Sequence, residues 1–486
     1  MNTNIYNKVK NKAVMTLLLL LTACFFTSCN DWLDVSPKSQ IREEDHFSRE
    51  SGFKDQLTGV YTRMTTQSMY GLNMGIGFVE VLSHTYDIDP NGRWRYVNDF
   101  NYTESTSEST INSIWSTTYS CIANLNILIR NIEDMGELEG NFRLYHGEAV
   151  GLRAFLHFEL MRLFACAPAM NGNANGVPYV TDYSTEVVGQ KSVNETMQLI
   201  INDLKKAHDE LATDTLNKYD YYGQASYSLT RTHFNYFACA VTLAKAYLWM
   251  GDTQNALKYA NEVINWKEYM TNAGFSWVHY TAMQTTKRNE LDATFSTEHI
   301  FRLVINDWED IGNYYFKQEG GTSALSPSEA TIEDIYELSA GLATDYRNLK
   351  GFEQDGEKRY LAKFWYNEGG YYNNMYPLIR MTEPYYIAAE CLKTTNPKKA
   401  IEYLNTVREN RGLSGSELGE GLTADQIQNE IYKEYRKEFI GEHGELFFYY
   451  KRLNLPEIKG TSIRPGKSAY VLPIPSNDQE FGGYSN

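Results

Sequence analysis

The chain is poor in cysteine and proline, and these shortages exclude several classes of protein. Its 486 residues include only 6 cysteines and 12 prolines. Two of the cysteines end an apolar leader, and the other four are isolated from one another along the chain. A disulfide framework is therefore not expected, and no cysteine pair has zinc-ligand spacing. Buried free thiols are predicted for Cys121, Cys166, Cys239 and Cys391.

Positive charge and long apolar runs are also scarce. The chain has 45 Lys and Arg against 61 Asp and Glu, a formal net charge of −16. Such a balance argues against nucleic acid and anionic lipid surfaces as partners. After the leader, no apolar run is long enough to cross a bilayer as a helix. The expectation is a protein that is anchored through its N-terminus and otherwise soluble.

The first 28 residues are predicted to be a lipoprotein signal peptide. A basic start precedes the apolar stretch from Ala13 to Phe26, which is too short to span a bilayer comfortably. The residues before Cys24 fit a bacterial lipobox better than those before Cys29. Lipidation is nevertheless predicted at Cys29, because it opens onto polar residues, whereas Cys24 would leave two phenylalanines in the mature tail. Cys24, or a plain secretory signal, stays open as an alternative.

The stretch from Phe237 to Asn265 predicts two helices joined by a tight turn. Its apolar residues recur every three or four positions, as on one face of a helix. Gly251 supplies the positive φ of a helix C-terminus, and Asp252 is suited to begin the next helix. The pattern resembles a tetratricopeptide (TPR) hairpin, although any tight helical hairpin would show similar spacing.

A second, divergent copy of this hairpin lies far downstream. Ala388 precedes Asn396 by the same interval that separates Ala244 from Asp252. Uninterrupted TPR arrays repeat about every 34 residues. The sequence therefore predicts a helical scaffold interrupted by a loop-rich insert with short strands, from about Trp266 to Glu383.

Apolar periodicity and turn residues place the remaining elements. The predicted helices lie within residues 43–66, 111–132, 145–164, 193–211 and 424–453, with a loop at 87–110 and a strand at 299–305.

Several segments, in this order, resemble the SusD/RagB family of outer-membrane nutrient-binding lipoproteins from Bacteroidetes. They are Cys29 to Pro37, Glu148 to Phe164, Glu390 to Gly412, Glu434 to Phe439, Glu445 to Phe448 and the ending YVLPIPSND. The resemblance implies a mainly α-helical fold with TPR-like helix pairs. It also implies no catalytic activity and no cofactor. We divide the chain into a signal peptide (1–28), an N-terminal SusD-like region (29–290) and a C-terminal RagB/SusD region (291–486).

The resemblance further implies a function. Such a protein binds an oligosaccharide or polysaccharide, or in some members a peptide, at the cell outer membrane. Its implied partner is a SusC-like TonB-dependent transporter, and its implied location is lipid-anchored and surface-exposed. Two alternatives from other classes stay open: a lipid-anchored helical glycoside hydrolase and a TPR adaptor for a protein.

Aromatic residues direct the search for a site. The chain has 37 tyrosines and 8 tryptophans, whose flat faces and polar tips suit sugar recognition, although many must lie in the core. The 87–110 loop and the insert concentrate these residues beside polar ones. The candidate ligand-binding residues are Trp94, Arg95, Asn98, Trp277, Trp308 and Tyr315. Trp94 is the first choice, because its flanking arginines make deep burial awkward; a core position is the alternative for each tryptophan.

Metal-binding patterns are weak. Residues 87–92 match the opening of a calcium loop, but Asn98 stands where a bidentate Glu is needed, so an Asx-rich turn is preferred. His443 lies between Glu442 and Glu445 without the second histidine of a zinc motif, which favours a charged helix face. No metal site and no catalytic residue is predicted.

Overall fold

A computed structural model describes residues 42–136, 138–212, 231–269 and 275–486. The predicted lipidation at Cys29, and its alternative Cys24, lie outside these ranges. The chain divides into two compact units, one ending at Phe53 and one running from Lys54 to Asn486. Among its described residues, the first unit contains the short helix Glu43–His46. The structure below concerns the second unit.

Helices form most of the described chain, and the longer ones are labelled here in order. They are α1 Glu50–Met64, α2 Ser105–Glu133, α3 Gly140–Phe164, α4 Val193–Leu211, α5 Tyr236–Trp249, α6 Thr253–Tyr269, α7 Trp308–Tyr315, α8 Glu329–Tyr336, α9 Thr382–Leu392, α10 Pro397–Glu409, α11 Ala424–Glu438 and α12 Glu445–Arg452. Shorter helices lie at Phe78–Val81, Arg95–Asn98, Pro168–Asn171, Tyr280–Gln284, Tyr346–Leu349, Lys467–Tyr470 and Ser476–Gly482.

Helices α2 to α6 and α9 to α11 form a row in which each packs against the next, and α7 and α8 belong to the insert. The successive pairs are α2–α3, α3–α4, α4–α5, α5–α6, α6–α9, α9–α10 and α10–α11. The two TPR-like hairpins, α5–α6 and α9–α10, are therefore neighbours, although residues 270–381 separate them in sequence. This arrangement confirms the predicted mainly α, TPR-like scaffold with an insert.

The turn chemistry of both hairpins agrees with the sequence. Gly251 has φ +78°, and the Asp252 carboxylate accepts a hydrogen bond from the Asn255 N–H at 3.0 Å. In the second hairpin, the Asn396 side chain accepts from the Lys399 N–H at 3.2 Å, with proline in the first turn. Each turn thus ends one helix and satisfies the free donors of the next.

The insert carries two small antiparallel sheets. β1 (His299–Val304) pairs with β4 (Met375–Arg380), and β2 (Phe352–Asp355) forms a hairpin with β3 (Lys358–Leu361). β1 follows the predicted strand at 299–305. Because β4 leads directly into α9, the first sheet returns the chain from the insert to the scaffold.

Two sequence predictions are wrong at their boundaries. The single helix expected at 424–453 is broken between α11 and α12, where Gly441, His443 and Gly444 all have positive φ. The carboxylate of Glu80, from a distant helix, accepts hydrogen bonds from the Gly441 and Gly444 N–H groups at 2.9 Å each and holds this break. The loop expected at 87–110 ends earlier, since α2 begins at Ser105.

A network of buried charges holds α11 to its neighbours. Arg347 donates to Glu434 at 2.8 Å and to Glu438 at 3.0 Å, and Arg411 donates to Glu438 at 2.7 Å and 3.0 Å. Burial by itself would raise the pKa values of both glutamates, but the neighbouring cations outweigh it and lower them. The Glu434–Phe439 segment that carries part of the family resemblance is therefore structural.

The four cysteines after the leader are free, as predicted. Cys121, Cys166 and Cys239 are buried, and Cys391 is half-buried. Burial raises the pKa of Cys391 to about 12, so its thiol stays protonated. In the part of the chain that the structure describes, no helix is both long and apolar enough to cross a membrane.

Candidate functional site

The structure brings the 87–98 loop together with residues 308–326 of the insert. The Asp87 N–H donates to the carbonyl of Ser326 at 3.0 Å. The Arg93 guanidinium donates to the Tyr315 hydroxyl at 3.0 Å. Two segments more than 200 residues apart are therefore in contact, and their contribution to a common ligand site stays a prediction.

Trp94 is enclosed, which corrects the expectation that flanking arginines would keep it near solvent. Its side chain is 2% exposed, and its indole N–H donates to the carbonyl of Ser323 at 2.9 Å. The ring lies against Gly77, where a Cβ would stand 2.8 Å from it. The neighbouring arginines do not prevent burial, because the Arg93 guanidinium extends outward above the Trp94 and Tyr315 rings, 5.0 and 6.0 Å from their centres.

Two further candidates from the insert are also buried. The Trp308 indole N–H donates to the Phe364 carbonyl at 2.7 Å, and its ring packs against Phe364 and Tyr376. Tyr315 packs against Trp94, with ring centres 5.7 Å apart. Burial raises the pKa of Tyr315, and the adjacent Arg93 opposes this shift. Trp94, Trp308 and Tyr315 thus support the surface from below and present little area to a ligand.

Arg95 and Asn98 are partly exposed on the short helix of the loop. The Arg95 guanidinium lies 4.0 Å from the centre of the Tyr96 ring and donates to the Gly92 carbonyl at 3.0 Å. The Asn98 amide contacts Asp99 at 3.4 Å. A cation held over an aromatic ring, beside an amide, offers both a flat apolar face and hydrogen-bond donors.

Sequence reasoning did not select two exposed residues of this region. Arg93 is exposed, and Tyr314 is 42% exposed with its ring edge-on to Tyr315 at 5.0 Å. A signal was available for Tyr314, because the buried residues of α7 follow the helical spacing Trp308, Ile311, Gly312 and Tyr315, and Tyr314 falls outside that stripe. We call the group Arg93, Arg95, Tyr96, Asn98 and Tyr314 the loop–insert surface.

Trp277 takes part in a different environment. Its ring lies 5.3 Å from that of Tyr385 in α9 and 5.6 Å from the guanidinium of Arg411. These partners belong to the scaffold. Trp277 thus packs against the scaffold, where the insert leaves the helical row.

More polar and aromatic side chains adjoin α7. Trp365 is half-buried and donates through its indole N–H to the Phe316 carbonyl at 2.6 Å, while Lys317 lies 4.9 Å from its ring centre. The Tyr366 N–H donates to the Asn313 side chain at 3.2 Å. The insert therefore continues the mixture of rings, cations and amides beyond the loop–insert surface.

The two weak metal patterns have structural explanations. The Asp89 carboxylate accepts the Asn91 N–H at 2.8 Å, which is the Asx turn preferred from the sequence. The expected helix face for His443 is wrong: this residue is 3% exposed and lies in the break between α11 and α12 with φ +39°. Within the described ranges, no group of three or more His, Cys, Asp or Glu side chains could hold a metal ion.

The architecture defines a class: a TPR-like helical scaffold that carries an insert and presents a polar–aromatic surface. Comparison with known families agrees. Residues 31–248 match a SusD-like family described as starch-binding and associating with the outer membrane, and residues 311–480 match the SusD family. The chain belongs to the SusD/RagB family. The boundary at residue 290 between two regions stays a prediction.

Similar proteins occur in Formosa agariphila and Bacteroides thetaiotaomicron. SusD-like protein P2 of Formosa agariphila is 24% identical, with 96% of this chain and 97% of that protein covered. A SusD superfamily structure from Bacteroides thetaiotaomicron aligns with a TM-score of 0.69 at 23% identity, covering 89% of this chain and 98% of that one. A laminarin-binding SusD-like protein aligns with a TM-score of 0.62 at 20% identity, covering 89% and 97%. These structural likenesses establish the shared fold.

Proposed function

We propose that this protein binds an oligosaccharide or polysaccharide at the cell surface and delivers it to a SusC-like TonB-dependent transporter. The observation that carries the proposal is the loop–insert surface. It combines the exposed ring of Tyr314 with the outward cation of Arg93 on a rigid helical scaffold. A family described as starch-binding, and a structural neighbour described as laminarin-binding, support a saccharide as the ligand class.

The chemistry of the surface fits a sugar. A pyranose ring offers C–H groups that pack on an aromatic face and hydroxyls that need fixed hydrogen-bond partners. Tyr314 and Tyr96 supply faces, while Arg93, Arg95 and Asn98 supply donors and an amide. The enclosed rings of Trp94 and Tyr315 contact Arg93, and Tyr315 also contacts Tyr314, so these two exposed side chains lose little freedom on binding.

The proposed activity is capture without turnover. A panel of plant, algal and microbial polysaccharides on a glycan array should identify the preferred saccharide. Incubation of the purified protein with that saccharide should then release no reducing ends. Release of reducing ends would favour the glycoside hydrolase alternative, and retention of a protein but no sugar would favour the adaptor.

Delivery requires a partner, because a binding protein at the cell surface cannot by itself move its ligand across the outer membrane. We propose that the protein forms a complex with a TonB-dependent barrel. The lipid on Cys29 would anchor the protein in the membrane beside that barrel. Purification of a tagged protein in mild detergent should recover a barrel with it. Recovery of the tagged protein alone across several detergents would contradict the delivery step but not saccharide binding.

A further inference from the structure

A cavity lies beside the C-terminal helices, and it shares no residue with the loop–insert surface. It has a volume of about 730 Å³ and is open to solvent. α11 and α12 form one side of it, and the segment from Leu453 to Arg464 forms the other. Neither the proposed function nor the family comparison assigns a role to this cavity.

Three tyrosines form its wall. The ring of Tyr432 is stacked on that of Tyr449, with centres 5.9 Å apart and planes 22° apart, and it lies 6.0 Å from Tyr450. Tyr449 and Tyr450 are buried, whereas Tyr432 is half-exposed. The Gln428 side chain donates to the Tyr449 hydroxyl at 2.6 Å. Tyr432 is thus an aromatic platform that contacts two buried rings, and the Arg436 guanidinium lies 5.7 Å from its ring centre.

The position of these residues on α11 follows its periodicity. The apolar face of this helix, which includes Ile427 and Ile431, is buried against the scaffold. Gln428, Asn429 and Tyr432 lie off that face and line the cavity. Tyr432 is only half-buried, so part of its side chain stays accessible to a ligand.

The charges around the rim cancel. Asp425 and Glu457 face Lys459 and Arg464, and all four are exposed. Lys459 is already paired with Asp334 at 2.6 Å, and Arg464 approaches Glu457 at 3.9 Å. A strongly charged ligand would find no excess of opposite charge here. A neutral, hydroxyl-rich ligand would find a flat ring and several amide and hydroxyl partners.

We propose that this tyrosine groove, defined by Gln428, Asn429, Tyr432, Tyr449 and Tyr450, is a second binding site for a neutral oligosaccharide segment. A sugar ring would stack on Tyr432, with its hydroxyls hydrogen-bonded to Asn429, because the Gln428 amide already donates to Tyr449 and accepts from Lys393. The choice of a saccharide as the ligand rests on the proposed function. The existence of the groove rests only on the contacts of its own residues. A polysaccharide long enough to occupy both sites would bind more tightly than a short chain, because the second contact becomes intramolecular.

Isothermal titration with a defined set of probes tests this site: laminarihexaose, maltohexaose, cellohexaose, xylohexaose and mannohexaose. For a probe that binds, we expect two binding events in the wild type. Tyr432→Ala should weaken one of them at least about tenfold, as for loss of an aromatic anchor. Tyr432→Phe keeps the flat face and should retain that event. Ser462→Trp, on the exposed rim, should block the groove without removing a core contact.

The variants separate this inference from the proposed function. If both Tyr432→Ala and Ser462→Trp bind every probe like the wild type, while Tyr314→Ala loses binding, the groove is not a saccharide site and the proposed function stands. If no probe binds the wild type and the array also shows no saccharide, both proposals are overturned. If the two groove variants keep saccharide binding but no longer recover the barrel, the groove contacts a protein and the saccharide assignment is wrong.

Discussion

Arg411 and Glu298 form a two-point ion pair in the interior, with N–O distances of 2.9 and 2.5 Å, although 113 positions separate them in sequence. Both side chains are fully buried. Arg411 follows α10 of the second hairpin, and Glu298 immediately precedes β1 of the insert. The same guanidinium also binds Glu438 of α11. One side chain therefore fastens the insert, the second hairpin and the C-terminal helices to one another.

Replacing Arg411 by Met should strongly destabilise the protein. The substitution leaves Glu298 and Glu438 buried without this partner, which costs about 3–5 kcal/mol in comparable sites. Urea denaturation followed by circular dichroism would measure the loss. Lys398→Met is the matched control, because the Lys398–Glu420 pair at 3.0 Å is exposed and should contribute nothing measurable. Equal midpoints for the two variants would contradict the role given to Arg411.

Trp94→Ala should lower stability, because Trp94 is a core residue. Loss of a large buried aromatic side chain costs about 3–5 kcal/mol. Trp94→Phe keeps most of the packing but loses the hydrogen bond to the Ser323 carbonyl, at a cost of about 1 kcal/mol. Thermal melts of both variants check the order. A Trp94→Ala variant that melts like the wild type but no longer binds saccharide would instead place Trp94 in direct contact with the ligand.

Tyr314→Ala should weaken saccharide binding without affecting the fold. The ring is 42% exposed, so its loss removes a binding face and little packing. We expect affinity for the saccharide identified on the array to fall roughly ten- to a hundredfold, as for a loss of about 1–3 kcal/mol at an interface anchor. Tyr183→Ala is the control, since Tyr183 is also exposed and also lies beside an arginine, Arg130, at 5.8 Å. Equal affinities for the two variants would remove Tyr314 from the site.

Glu80 should make stability depend on pH near neutrality. Burial raises the pKa of Glu80 to about 8, although the hydrogen bonds from Gly441 and Gly444 oppose the shift. The folded protein then holds a proton that the unfolded chain releases above about pH 4.5. The stabilising contribution is complete below that pH and is lost as the pH rises towards 8. Relative to Glu80→Gln, the wild-type free energy of unfolding should fall over this window by at most about 1.4 kcal/mol per pH unit.

The measurement is urea denaturation at half-unit steps from pH 5 to 9 for both proteins. Parallel curves would show that Glu80 does not titrate in this window.

At acidic pH the opposite sign applies to Glu434 and Glu438, whose pKa values are lowered by the surrounding arginines. Their contribution is complete above the unfolded pKa and is lost as the pH falls below about 4.5. It should be lost equally in the wild type and in Glu80→Gln.

Cys29→Ala should release the protein from the membrane fraction. A lipid-modified cysteine gains about 0.8 kcal/mol of membrane affinity for each buried CH₂ of its acyl chains, so its loss removes the anchor. Cell fractionation with immunoblotting checks the result, and Cys24→Ala is the matched control. Retention of Cys29→Ala together with release of Cys24→Ala would show that Cys24 carries the lipid.

Local signals in the sequence were enough to define the scaffold. Helical periodicity, Gly251 and the Asn396–Pro397 pair are local signals, and each acts through backbone geometry within one or two turns. They were sufficient to place both hairpins, and the ordered family segments were sufficient to identify SusD/RagB. The same reasoning located the loop and the insert as the two departures from the scaffold.

The exposure of particular side chains and the break in the predicted long helix became clear from the folded chain. Trp94 is buried because its ring packs against Gly77 and its indole N–H donates to the Ser323 carbonyl. Neither partner lies within one or two helical turns of Trp94 in the sequence. The break after α11 is held by Glu80, more than 300 residues earlier. Burial and long-range hydrogen bonds depend on which segments contact each other in the folded protein, and local periodicity does not encode those contacts. The loop–insert surface and the tyrosine groove could therefore be defined only after the chain was seen folded.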